Sequence, residues 1–165
     1  MTFVLRDFRP DDGESVTRVV EAAFSQYREV LSDWAAFSAG FGHMVAHAHE
    51  CEIIVAEVNG GVAGAVGYIG PGQPKPAYYP AEWTVVRLLV VSPEHRGAGI
   101  GRALTEDCIR RARRDSALLI ALHTSPIMSV ALPMYERMGF ILERSLPDKW
   151  GIPYGLYVKR LRVGA

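Results

Sequence analysis

The chain has 165 residues and a mass of 18.2 kDa, sized for one compact domain spanning 1–165. A hydrophobic share of 49% and a charged share of 22% exclude a disordered segment, and two cysteines exclude a disulfide-stapled miniprotein. Eighteen basic and eighteen acidic residues leave a formal charge of +0. Nothing therefore draws the whole chain to nucleic acid or an anionic membrane, and any site for a charged ligand is local.

The opening Met1-Thr2-Phe3-Val4-Leu5-Arg6-Asp7 has no basic stretch leading into an apolar run, so no signal peptide is expected. Val4 to Phe8 alternates as a strand and turns at Arg9-Pro10-Asp11-Asp12-Gly13. Asp12 or Ser15 is placed to cap a helix carrying Val16, Val19, Val20, Ala23, Phe24 and Tyr27 at helical spacing. A second helix is expected after Ser32, with Trp34, Phe37, Phe41 and Val45, against the helix-weakening Gly40 and Gly42. His43 and His47 stand four apart near His49, but no glutamate framework or cysteine set accompanies them, so they read as substrate-side or surface residues rather than a metal site.

Glu52 to Val58, Asn59-Gly60-Gly61 and Val62 to Ile69 predict a hairpin, in which Gly64 and Gly67 either admit close backbone approach or merely weaken the strand. Gly70 to Pro80 is a proline-rich loop whose Tyr78 and Tyr79 either cover a pocket or form a plain surface connection. The longest apolar runs are strand-length, short of the ~20 residues of a membrane span. Cys51 and Cys108 form no C-x-x-C pair, which favours a cytoplasmic chain with reduced thiols and no bridge between them.

Val85 to Val91, interrupted by Arg87, reads as a strand covered on both faces, and Ser92-Pro93-Glu94 ends it. Arg96-Gly97-Ala98-Gly99-Ile100-Gly101 follows, then a helix with an apolar stripe of Ile100, Ala103, Leu104, Cys108 and Ala112. Glu106 with Arg110, and Asp107 with Arg111, support its exposed face. Arg110, Arg111, Arg113 and Arg114 suit a solvated helix C-terminus better than a nucleic-acid patch. Leu118 to Leu122 is a second buried strand. Strand, glycine turn, helix and strand in that order aim N–H groups and a helix N-terminus at one point, a phosphate or pyrophosphate site. The P-loop pattern fails, because Arg102-Ala103 follows Gly101. The dinucleotide fingerprint fails on its third glycine and on the missing carboxylate after Leu122-His123.

What matches is R-x-x-G-x-G at Arg96, Gly99 and Gly101, followed by Tyr135-Glu136-Arg137-Met138-Gly139-Phe140. In these two motifs the chain resembles the GNAT superfamily of acyl-CoA-dependent N-acyltransferases, closely over 85–140. The resemblance implies a mixed α/β fold, mostly antiparallel, with a parallel, splayed central strand pair at Val85–Val91 and Leu118–Leu122. It implies acetyl-CoA as co-substrate and no metal. Pantetheine would lie along Leu89, Val90 and Val91. The pyrophosphate would sit on the amides of Arg96, Gly97, Ala98, Gly99, Ile100 and Gly101, with Arg102 adding charge. Tyr135 takes the place of the acid for the departing thiolate. The usual glutamate position holds Val85, which leaves Glu82 or His123 as base. An asparagine common seven positions before the tyrosine is Met128 here, with Ser125 or Ser129 as stand-in. Trp34, Phe37, Phe41, Tyr78 and Tyr79 would line the acceptor pocket. A small-molecule amine acceptor is the leading expectation. The alternatives are a protein or peptide N-terminal or lysine acetyltransferase and a noncatalytic acyl-CoA sensor. Pairing of Tyr154 to Leu161 with a second copy would give a homodimer.

Overall fold

A computed structural model describes residues 2–162, so Met1 of the leader reading and the last three residues of the 1–165 domain lie outside the described residues. Seven strands form one sheet: β1 Val4–Asp7, β2 Glu52–Val58, β3 Gly61–Ile69, β4 Thr84–Val91, β5 Leu119–Thr124, β6 Ile141–Lys149 and β7 Ile152–Arg160. Their order is β1-β2-β3-β4-β5-β7-β6, and every pair is antiparallel except β4 with β5. The expected mixed, mostly antiparallel α/β architecture with one central parallel pair is the observed one.

Helices cover both faces. α4 (Ile100–Arg114) packs its buried Ile100, Leu104, Cys108 and Ala112 against Ile54, Ala56 and Val86 of the sheet. α5 (Ala131–Arg137) shares that face through Leu132 and Tyr135. The opposite face carries α1 (Gly13–Phe24) with Val16, Val20 and Phe24 against Ile53, Val55 and Val90. Two short helices, α2 (Trp34–Ser38) and α3 (His43–Ala46), extend that layer.

Local chemistry accounts for several departures from the sequence reading. Asp12 stands at the N-cap of α1, but its carboxylate takes Arg6 at 2.8 Å and the Arg9 N–H at 2.7 Å instead of capping the helix. The single helix expected after Ser32 is divided at Ala39–Gly42, where the helix-weakening Gly40 and Gly42 fall. Its aromatic residues still cluster, with Phe24, Phe37 and Phe41 centroids 5.4–5.9 Å apart. Leu118 lies outside β5 and is 70% exposed. α5 begins at Ala131 rather than near Pro126. Gly64 does admit close approach: a Cβ there would lie 2.9 Å from the Val90 carbonyl and 3.1 Å from Ile100.

The arginines at the end of α4 are mostly paired. Arg111 is clamped by Asp7, Glu52 and Asp107, and Arg114 by Glu52 and Asp115, tying α4 to β1 and β2. Glu106 pairs with Arg102 rather than Arg110, which turns to Asp107.

Candidate active site

The parallel pair is short. Thr84 sits beside Ile120 and Val85 beside Ala121, and no later pairing joins the two strands. From there β4 and β5 diverge and leave a notch. β4 bulges within it: Ala65 and Gly67 of β3, two positions apart, oppose Val90 and Arg87, three apart. The extra residue, Leu88, has φ +52°, a left-handed backbone that a branched side chain adopts only under strain. The bulge resets the alternation. Leu89 and Val91 turn to the α4 face, while Leu88 and Val90 turn to the α1 face.

The backbone follows the same logic. The Ser92 N–H bonds the Ala63 carbonyl of β3 at 2.8 Å, so Val90, two residues earlier, also addresses β3. Leu89 and Val91 therefore present their N–H and C=O groups to the notch, where no strand meets them. Of the three residues expected along pantetheine, Leu89 and Val91 have this aspect, and Val90 is committed to β3 and the α1-side core.

β4 ends at a 3-10 turn, Pro93–His95, and the chain reaches α4 through Arg96 to Gly99. Gly97 and Gly99 have φ +82° and +85°, and neither would crowd a Cβ, so conformation alone calls for glycine there. Gly99 is the N-cap of a 15-residue helix without a side-chain cap. The free N–H groups of that first turn and the helix dipole converge on one place. Arg96 donates to the Ala23 carbonyl at the end of α1 at 3.3 Å, and Arg102 pairs with Glu106 at 3.0 Å on an exposed surface.

Tyr135 is held from behind by its own motif. Gly139, at φ +96°, lets the Phe140 N–H return to the Tyr135 carbonyl at 3.0 Å, a Schellman closure of α5. The Phe140 ring lies 5.6 Å from that of Tyr135. The tyrosine is buried beside Cys108, and its hydroxyl has no hydrogen-bond partner among the described residues. Burial raises its pKa above the usual phenol range, so it stays protonated.

His123 occupies the opposite face. The phenols of Tyr79 and Tyr78 lie 2.9 and 3.1 Å from its Nδ1, and Tyr154 lies beside its ring. His123 is exposed at the surface, and the crowding of side chains around its ring, with smaller contributions from Lys149 and Arg87, lowers its pKa, so the ring is neutral near pH 7. Tyr78 and Tyr79 of the proline-rich loop thus pack against His123. Glu82 is exposed before β4 begins, and its charge acts on Lys75. It lies at the closed foot of the parallel pair, whereas His123 lies two residues into the opening. Ser125 is fully buried and accepts the Ile127 N–H at 3.4 Å, Ser129 is exposed, and Met128 accepts the Thr124 hydroxyl through sulfur. The structure thus brings Leu89, Val91, the glycine turn, Tyr135 and His123 around one notch, with Glu82 at its closed foot and Ser129 exposed on the segment after β5. Both cysteines are free thiols.

Residues 13–140 match the family model described as the acetyltransferase (GNAT) family. N-acetyltransferase family 8 member 3 of Rattus norvegicus is 36% identical over 77 residues, 47% of this chain and 31% of its own. The chain spans 22% to 37% of the length of the curated relatives it matches. PaiA N-acetyltransferase from Thermoplasma acidophilum, solved in complex with coenzyme A, superposes with a TM-score of 0.76 at 14% identity, over 98% of this chain and 100% of that one. Histone acetyltransferase HPA2 and related acetyltransferase from Corynebacterium glutamicum gives 0.76 at 21% identity, over 99% of both chains. At these identities the structural likeness is one of fold.

Proposed function

The chain belongs to the acetyltransferase (GNAT) family, and from that premise we propose that it moves the acetyl group of acetyl-CoA to a primary amine of a small molecule, by direct attack in a ternary complex. The observation that carries this reading is a conjunction. β4 loses its parallel partner after its first two residues, runs on unpaired on that side to Val91, and then feeds a positive-φ glycine turn at the start of a long helix. An extended pantetheine can replace the missing strand along Leu89 and Val91, and the turn can receive a pyrophosphate. PaiA's solved complex with coenzyme A supports the same choice of co-substrate.

The reaction forms a C–N bond at the thioester carbonyl and breaks its C–S bond. The amine must shed one proton, and the sulfur leaves with an electron pair. Holding both substrates in one notch removes much of the entropic barrier. Tyr135, kept protonated by burial, donates a hydrogen bond to the departing sulfur from the α4 face. His123 is the base in reach on the other face; its lowered pKa makes it a weak one, so it takes the proton as the C–N bond forms and the nitrogen turns acidic. For that role its Nδ1 proton must point to a phenol, which leaves Nε2 as the free lone pair; with the phenols donating instead, Nε2 carries the proton. A cytoplasmic setting and a homodimer joined at sheet edges complete the reading.

Gly99→Asp tests the co-substrate site. Aspartate visits left-handed backbone at low cost, so the fold should survive while a negative charge enters the phosphate cradle. Calorimetry should show acetyl-CoA binding lost, with circular dichroism unchanged. Unaltered affinity would overturn the placement.

A further inference from the structure

Three arginines among the described residues have half-buried side chains: Arg6, Arg87 and Arg111. Arg6 is clamped by Asp12 and Glu57, and Arg111 by Asp7, Glu52 and Asp107. Arg87 has no ion pair and no side-chain hydrogen bond among the described residues. Partly burying a guanidinium without a counter-charge is unfavourable, and the other two half-buried arginines avoid it.

Its position is specific. Two residues beyond the Val85–Ala121 pair, Arg87 is level with His123 where the strands part. A Cβ on Gly67 would lie 3.5 Å from Cβ of Arg87 and 3.1 Å from Sδ of Met44, which puts the arginine on the face that carries α1 and α3. That is the face of Tyr79, Val85 and His123, opposite Tyr135. The same-face neighbour two residues before it is Val85, and the cross-strand neighbour is Gly67, so neither supplies a carboxylate. The surroundings are cationic as well. Burial lowers the pKa of His43 and His123, and positive charge acts the same way on both: Arg87 at His43, and Lys149 and then Arg87 at His123. Of the nearby acids, Glu50 acts on His43 and Cys51 and Glu52 acts on Cys51, whereas the charges that act on His123 are those of Lys149 and Arg87.

We infer that the amine acceptor carries a carboxylate and that Arg87 binds it, in a planar two-point pairing that seats the amine toward His123 and the notch. The inference rests on the N-acetyltransferase reading and names its substrate class: amino acids and related amino carboxylates, rather than polyamines or neutral amines.

Matched pairs test it: phenylalanine with its amide, glycine with glycinamide, and γ-aminobutyrate with butylamine, each with acetyl-CoA and free CoA as readout. The amides have the less basic nitrogens, so amine reactivity favours them over their acids. The wild-type chain should nevertheless favour at least one acid over its neutral partner by tenfold or more in kcat/KM. In Arg87→Met that ratio should fall toward one, mainly through acceptor KM, and Arg87→Lys should restore part of it. Acetyl-CoA binding by calorimetry reports that each variant is folded. Equal turnover of acids and neutral partners, or a preference that survives in Arg87→Met, would overturn the inference and leave N-acetyl transfer standing. No turnover of any amine by a chain that binds acetyl-CoA would overturn both.

Discussion

Tyr135 is a donor with its back to a wall. The Schellman closure through Gly139 and the Phe140 ring fix it, and its hydroxyl has no competing partner among the described residues. Tyr135→Phe keeps that packing and removes the proton. General acid catalysis contributes ~10²–10⁴-fold, so kcat should fall at least about tenfold while acetyl-CoA affinity holds. A mutant with full kcat would return Tyr135 to the core. His123 makes a different prediction. Its folded pKa of about 4 lies below the ordinary histidine value of 6.5, so between those values the unfolded chain binds the extra proton. Stability contributed at this residue is complete above pH 6.5 and is lost as pH falls toward 4. Asp12, Glu52 and Asp115, whose arginine partners lower their pKa, lose their contribution at more acidic pH. His123 is exposed, so solvent weakens the effect: urea titrations from pH 7 to 4.5 should show a small slope that His123→Gln flattens, and an unchanged slope would count against a lowered His123 pKa. Tyr135 and Gly99 were legible because each belongs to a short motif with a mechanical reason. The partners of His123 were not, since Tyr78 and Tyr79 arrive from a loop 45 and 44 residues earlier. Arg87 showed only as a polar break in an apolar strand.

At the level of the element, the hairpin and the strand–turn–helix read directly from local sequence. Asn59-Gly60 supplies two consecutive positive φ angles for the turn, and α4 has an unbroken apolar stripe. The β4 bulge was not readable, because it shows only against its partner strand. The charge pairing on α4 was half readable: i, i+4 spacing gave Asp107–Arg111, but Asp7 and Glu52 come from distant strands. Gly64 tests the packing of this layer. The Cβ of Gly64→Ala would meet the Val90 carbonyl, Ile100 and Leu104 at 2.9–3.3 Å. Overpacking of this kind costs about 1–3 kcal/mol. Denaturant unfolding should show that loss, whereas Gly101→Ala, whose Cβ would find neighbours at 3.7 Å or beyond, should be nearly silent.

For the whole molecule, the parallel pair followed from the handedness of strand–helix–strand crossovers, but the far half of the sheet did not. β7 inserts between β5 and β6, so the terminal strand expected to meet a second copy is paired on both sides. The free edges are β1 and β6. β6 is exposed along almost its whole length and bears Ile141 and Leu142 at 59% and 54% exposure. A homodimer should therefore form at β6. Sedimentation at micromolar concentration should give twice the 18.2 kDa mass, and Leu142→Lys should return it to the single mass. A wild-type chain that sediments only at the single mass would remove the dimer.

The parallel seam has a further consequence. Only two register positions join the sheet's first four strands to its last three, and α4 packs chiefly on the first group. Side chains still bridge the seam, since Val85 shares a core with Leu119, Ala121 and Leu156, so the two strands part only at their backbone edges. Amide exchange should be fast along those facing edges of β4 and β5 beyond the Val85–Ala121 pair. A pantetheine arm laid along β4 would cover them. Acetyl-CoA should then slow exchange on both edges and raise the melting temperature, effects that Gly99→Asp should abolish.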